Sequence, residues 1–392
     1  MKSKKKGAIR QLILRNICFG VLLLGVLSQF GYLTILNSEK FFARGYEKEY
    51  DSLQRAYYSS QYARKDAPGI IPDETFEAFA AGAFIKGMNP IHIVHDHPPL
   101  GRYILGLSII LFDNPRTFII FFLALSFLGI FLITKLITKN IFVSLVPVAI
   151  FANEPLTLNK FSYAPLPEPI QLPFIIFGFY FFLLAIKSKR KIILYTIVSI
   201  FLGFVISIRF FVTGGLMLFS MMTYLVFLKR NLREAIKFGL TLPLALIILI
   251  VSYTRTIIDG YSVLQIFGVQ KYILAYHKSA FTNAFSFWDL ILFNRWHTWW
   301  GKNEILSDPQ WRIYWPVSVI VSFVTLIISV IKKISISEEE KVLVLWVIGY
   351  SLMLSTGYTS TRYFLPLLPF LYILLVAGSM RIVILIRNGK IS

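Results

Sequence analysis

The sequence predicts an all-α polytopic membrane protein. Three observations carry that prediction. The chain of 392 residues is 56% hydrophobic and 16% aromatic. Only 15% of it is charged, against about 25% in an ordinary soluble domain. Its apolar residues fall in runs of the length needed to cross a bilayer, and mean hydropathy is +0.67. A soluble enzyme and a disordered chain are excluded, because so much apolar surface has no soluble interior large enough to hold it. Cys18 is the single cysteine, which rules out disulfides within the chain and cysteine-based metal sites.

Ten spans are expected. The first, 17–36, carries no charge and follows Lys2, Lys4, Lys5 and Lys6. It is longer than a signal-peptide core and no small-x-small cleavage site follows, so it reads as a retained helix. The others are 117–134, 141–153, 170–186, 192–208, 210–228, 238–253, 313–331, 342–357 and 363–380. Residues 99–112 are apolar but too few to cross, and they contain Arg102. They read as an interfacial helix. Counting them as a span would put the basic run 187–191 outside.

Charge sets the orientation. The segments that ten spans place inside hold 22 of the 40 Lys and Arg residues and only four acids. The much longer outer segments hold 18 bases and 16 acids. The positive-inside rule is met at each inner turn, with both termini in the cytoplasm. The net charge of +20 is therefore a topology signal and implies no nucleic-acid partner.

This divides the chain into five parts. Residues 1–36 form the N-terminus and first span, and 37–116 a long outer loop with interfacial helices. Spans 2–7 fill 117–253. A second outer loop, rich in tryptophan, covers 254–312, and spans 8–10 fill 313–392. Loops of this length in a compact membrane domain usually carry function.

The first loop holds the densest chemistry, over 72–103. Asp73 and Glu74 follow a proline and open a helical pattern with Phe76, Phe79, Ala80 and Phe84 on it. Asp73 fits two roles: a cap for the free N–H groups of the first turn, or a base beside an acceptor hydroxyl. Three of the five histidines, His92, His95 and His97, lie within six residues. That cluster suits a divalent metal, a phosphate or a polar loop. Pro98 and Pro99 fix the chain after His97.

Asp73-Glu74, then a helix, then Asp96-His97-Pro98-Pro99-Leu100-Gly101, resembles the first luminal loop of the protein O-mannosyltransferases. That family reads D-E, a short helix, then D-x-H-P-P-L, so the spacing here departs by one. Aminoarabinose transferases and related GT-C glycosyltransferases carry K-P-P-L, and His97 favours the mannosyltransferase branch. Ser162 and Glu168 keep the spacing of a family S-R-x-x-x-x-D segment, with Tyr163 in place of Arg and Glu168 in place of Asp. Arg362-Tyr363-x-x-Pro366-x-x-Pro369 resembles a late family helix. Tyr276-His277, Trp299-Trp300 and Trp315-Pro316 agree more weakly.

The resemblance implies a GT-C membrane enzyme of the plasma membrane, with its site on the extracytoplasmic face. It implies a polyprenyl-phosphate sugar donor, carrying mannose or another hexose, and a protein, lipid or glycan acceptor. Transfer would be a direct displacement with inversion. Asp73 would be the base and Glu74 its helper. His97 would contact the donor phosphate. Arg102 and Arg362 are further phosphate candidates, with Asp96, Glu168 and Tyr363 in support. No cofactor is implied, and a divalent ion at the histidines stays open.

Arg209 stands out without any family argument. It is the only charge between Lys191 and Lys229, where two spans meet at the outer face. It either faces a polar site or snorkels to the headgroups. Six of the seven tryptophans lie in 288–315, the usual place for a membrane belt. Asn294, Arg295 and His297 sit among them as weak acceptor-site candidates. A secondary transporter or lipid-linked-sugar flippase is the competing reading. Those proteins carry ionisable residues inside spans, and no acid falls inside a predicted span here.

Overall fold

The computed structural model describes residues 2–387 except 65, 68, 94–95, 159–163, 279–284, 299–303 and 358; the side chains of 2–15 and 276–278 also lie outside it. The predictions for His95, Ser162, Tyr163, Trp299 and Trp300, and for the side chains of Tyr276 and His277, fall on these residues.

The described chain is an α-helical bundle with one two-stranded hairpin. Among the described residues seven helices are long and apolar enough to cross a membrane: Asn16–Leu36, Thr117–Thr138, Pro167–Ala185, Lys191–Ile208, Leu232–Ser252, Tyr314–Ile331 and Leu368–Arg387. The other three predicted spans fall on shorter helices, Ile141–Ala152, Val212–Leu228 and Glu338–Leu354. The first two carry no charge and pack in the bundle. The third starts on three glutamates, which shorten its apolar stretch.

Local sequence explains several helix ends. The Asn140 side chain accepts the N–H groups of Phe142 and Val143, and starts the third span. Ser337 and Glu340 form a reciprocal capping box at the ninth. The apolar run 99–112 forms a helix too short to cross a bilayer upright. Leu100–Phe112 has 13 residues and ends on Asp113 in the left-handed conformation. The carboxylate of Asp113 accepts the Gly45 N–H at 2.6 Å and so ties both ends of the first loop.

That loop folds as a small layer of its own. Tyr46–Tyr58 lies across Asp73–Ile85 through stacked rings: Tyr57 on Phe79 at 4.6 Å and Tyr50 on Phe79 at 5.9 Å. Phe79 is fully buried. Covering such a side chain stabilises by about 1.5–3 kcal/mol. Gly82 admits the Tyr46 hydroxyl where a Cβ would stand 2.1 Å from it. Gly101 brings the next helix onto the end of Lys191–Ile208: a Cβ there would be 3.0 Å from the Ile208 carbonyl oxygen. That approach sets the His97 segment beside Arg209.

The second loop, 254–312, carries elements of its own. It contains the helices Thr254–Ile258, Val263–Lys278 and Ser286–Phe293, then the hairpin Trp296–His297 with Ile305–Leu306. It docks on the first loop through Asn89, which donates to Asp259 at 2.9 Å and accepts from Thr256 at 2.9 Å.

Candidate active site

Asp73 is the first residue of its helix and Pro72 occupies the cap position. The capping role is therefore not taken, because the carboxylate turns away from the first-turn N–H groups. One oxygen accepts the Tyr62 hydroxyl at 2.6 Å, and the other accepts Arg362 Nη1. Tyr62 is held by stacking on Phe76 at 4.2 Å. Burial works to raise the Asp73 pKa. Arg362 and the Tyr62 bond outweigh it and hold the carboxyl below its ordinary value.

Arg362 continues the chain of charges. Its Nε lies 3.7 Å from Glu168, and Arg209 Nη2 lies 3.1 Å from the same Glu168 oxygen. Glu168 stands in the first turn of Pro167–Ala185, just outside the predicted span. The Tyr363 ring sits between the two guanidiniums, 4.9 Å from Arg209 and 5.3 Å from Arg362. Four elements distant in sequence thus meet at one point: the first-loop helix, the ends of two spans and the 3-10 turn Thr361–Phe364.

A second charged group lies alongside. Arg102 is 1% exposed and clamps Glu77 through Nε at 2.7 Å and Nη2 at 2.8 Å. The same Nη2 donates to Asp96 at 3.0 Å. His97 Nε2 lies 3.6 Å from Asp96. Burial pushes Glu77 up to about 7 and Arg102 opposes it. Two buried charges are tolerated only with such bidentate pairing. Arg102 was expected at the phosphate. Here its donors are committed to two carboxylates and to the His97 carbonyl.

Beside these groups opens a cleft of about 140 Å³, lined by His97, Arg209, Phe210, Thr213, Tyr350, Met353, Leu354, Gly357 and Tyr363. Arg209 Nε is buried with no hydrogen-bond partner among the described residues. An unused guanidinium N–H on a cleft suits an anion. The walls are otherwise mostly apolar.

The remaining predicted residues separate from this centre. Glu74 follows Asp73 by one position, about 100° around the helix. It lines another cleft, with Glu49 and Arg116. It is therefore not beside Asp73's partners. Asn294 accepts the Asp308 N–H at 2.8 Å, and His297 pairs with Asp289 at 2.8 Å. Arg295 is exposed on the same turn. These three shape the loop, whose Asp308 accepts Thr361 at 2.9 Å next to Arg362. His92 is exposed and faces Tyr261 at 3.5 Å, away from His97. Among the described residues no three His, Cys, Asp or Glu side chains group as metal ligands.

Sequence reading missed Tyr62 and Glu77. Nothing in the local sequence singles out Tyr62. Glu77 lies four residues after Asp73, on the same face of the helix, and that spacing was a usable signal.

Residues 96–253 match the family model of the dolichyl-phosphate-mannose-protein mannosyltransferases. The match begins at Asp96, at the head of the His97-Pro98-Pro99 run. The fold is similar to that of ArnT from Cupriavidus metallidurans bound to undecaprenyl phosphate: TM-score 0.55, 12% identity, 84% of this chain and 59% of that one. Apo ArnT gives 0.56 at 12% identity, over 79% and 55% of the two chains. The archaeal oligosaccharyltransferase AglB from Archaeoglobus fulgidus, with an inhibitory peptide and a dolichol-phosphate, gives 0.49 at 12% identity, over 95% and 51%. The chain spans less than two thirds of the length of each. No curated protein matches it by sequence. With the mannosyltransferase pattern over 96–253 and an ArnT-like fold around it, this multi-pass membrane protein is similar to the GT-C glycosyltransferases of the mannosyltransferase and aminoarabinose transferase type.

Proposed function

We propose that the chain moves a sugar, mannose or another hexose, from a polyprenyl phosphate to a hydroxyl acceptor on the outer face of the plasma membrane. The observation that carries this reading is the pairing of an ionised Asp73 with an adjacent cleft that holds an unused Arg209 N–H. ArnT, similar in fold, has been solved with undecaprenyl phosphate.

The acceptor hydroxyl approaches Asp73 from the open side of the site. Its proton passes to the carboxylate as its oxygen bonds the anomeric carbon. The bond from that carbon to the phosphate oxygen breaks on the opposite face, which inverts the centre. The electron pair leaves with the polyprenyl phosphate. Arg209 and His97 face the charge that develops there, and a preorganised cation is worth most at that moment. Arg362 keeps Asp73 ionised and in place. Tyr62 fixes its other oxygen. Asp96, Glu168 and Tyr363 hold the cations in register. Protein, lipid and glycan acceptors all supply the required hydroxyl.

The test is incubation of purified protein with a panel of radiolabelled polyprenyl-phosphate sugars and candidate acceptors. One donor should be consumed with label transferred. Asp73→Asn should lower turnover by about 10²–10⁴-fold with unchanged melting. Near-wild-type turnover in that variant would sink the base assignment. Movement of intact donor across vesicles without transfer would favour a flippase.

A further inference from the structure

The spans that present Glu168, Arg209 and Thr213 at one end carry a second polar cleft at the other. It measures about 450 Å³ and is lined by Ile186, Lys187, Tyr224, Leu228, Lys229 and Glu338. Its charges are unevenly matched. Glu338 already accepts the Tyr224 hydroxyl at 2.9 Å and Lys341 at 2.6 Å. Buried Glu339 holds Lys187. Glu234 holds Lys237 at 3.0 Å and Lys191 at 3.4 Å. Lys229 has no ion pair among the described residues. Its ammonium donates to the Ile186 carbonyl at 3.1 Å. Burial and the neighbouring Lys191 hold its pKa below the ordinary value, against the opposing pull of Glu234 and Glu338.

The backbone is specialised at the same place. Tyr224–Leu228 forms one π turn, and the Lys229 N–H bonds back five residues to Tyr224 at 2.8 Å. Arg230 follows at φ 51°. An uninterrupted α-helix would place Lys229 differently. Turns of this kind are uncommon and recur at functional sites. On the lipid side, Phe227, Leu228 and Leu232 leave 70%, 49% and 63% of their surface uncovered.

We infer that this cleft binds the phosphate-bearing headgroup of an anionic phospholipid, with Lys229 and Lys187 on the phosphate and the acyl chains along Phe227 and Leu228. Glu234 and Glu338 act on Lys229 only from a distance, and the phosphate gives it a direct ion pair. A zwitterionic headgroup brings its own cation into a cleft already rich in lysine and is disfavoured. Basic groups at a membrane surface act on anionic lipids in this way. The inference is independent of the reaction proposed above and needs only that the chain lies in a membrane.

The test is native mass spectrometry of the full chain in detergent, with phosphatidylglycerol or phosphatidylcholine added. One phosphatidylglycerol should be retained preferentially. Lys187→Gln with Lys229→Gln should weaken its retention about tenfold or more. Lys332→Gln with Lys333→Gln, on exposed lysines, should leave it unchanged. Phosphatidylglycerol should also raise the melting temperature of the wild type and of Lys229→Arg, but not of the double glutamine variant. Equal retention of both lipids, equal loss in the control variant, or displacement by millimolar inorganic phosphate would each overturn the assignment. The last would identify a free-phosphate site. None of these readouts requires sugar transfer.

Discussion

Arg362 donates to the carboxylate of Asp73 across 289 positions of sequence. The contact joins the helix of the first loop to the turn before the last span. It also decides the state of Asp73. Burial alone would raise that carboxyl's pKa, and Arg362 is the largest opposing influence. In Arg362→Gln the burial contribution prevails and the pKa rises. In the proposed reaction transfer needs the ionised form, which is lost as pH falls through the pKa. The acid limb of the rate profile should therefore move to higher pH in Arg362→Gln, with Tyr62→Phe moving it less. A pH–rate series on the two variants checks this. An unmoved limb in Arg362→Gln would separate Arg362 from Asp73 function.

Arg102 and Glu77 should behave as a structural pair. Removing one partner leaves a buried charge uncompensated, at a cost of about 3–5 kcal/mol. Arg102→Met alone should melt far below wild type. Arg102→Met with Glu77→Leu should recover much of that loss, since apolar replacement of a buried pair is often neutral. Thermal unfolding of the three proteins checks the stability. Activity checks the role. If the double variant is stable but inactive, Arg102 is needed at the donor phosphate after all.

These two residues also mark how far sequence could reach. The spans were legible because hydrophobic run length reports directly on bilayer thickness. Asp73 and His97 stood out as candidates because their motif is local. What sequence could not resolve was direction. Asp73 and Glu74 look equivalent as a pair, and one step around a helix sends them to separate clefts. Arg102 and Arg209 look alike as isolated outer cations. Only packing reveals that two carboxylates consume the donors of Arg102 while the buried Arg209 Nε has no hydrogen-bond partner among the described residues. Tyr62 reaches Asp73 through a ring stack, which has no signature in spacing.

Orientation has its own test. Ser59 lies exposed at the end of Tyr46–Tyr58, in the first long loop. The bias of basic residues predicts that this loop is outside. In a Cys18→Ser background, Ser59→Cys in intact cells should react with an impermeant maleimide added from outside. Reaction only after permeabilisation would invert the topology and place the candidate site in the cytoplasm.

Arg209 is the residue on which the donor assignment turns. Its Nη2 is spent on Glu168 at 3.1 Å, its face lies over Tyr363, and its buried Nε has no hydrogen-bond partner among the described residues. A phosphate in the cleft would complete it. Arg209→Gln removes the charge and leaves Glu168 the cation of Arg362. Turnover should fall about 10²–10³-fold, as expected when a preorganised donor to a developing charge is lost. Arg209→Lys should recover only part of this, because an ammonium cannot serve Glu168 and phosphate with the same planar geometry. Retention of polyprenyl phosphate on the purified protein gives a second reading, independent of turnover. It should drop in Arg209→Gln and stay intact in Asp73→Asn, because the proposed reaction sets the first on the leaving phosphate and the second on the acceptor. Equal losses in both variants would mean that Asp73 and Arg209 do not divide the site between acceptor and donor.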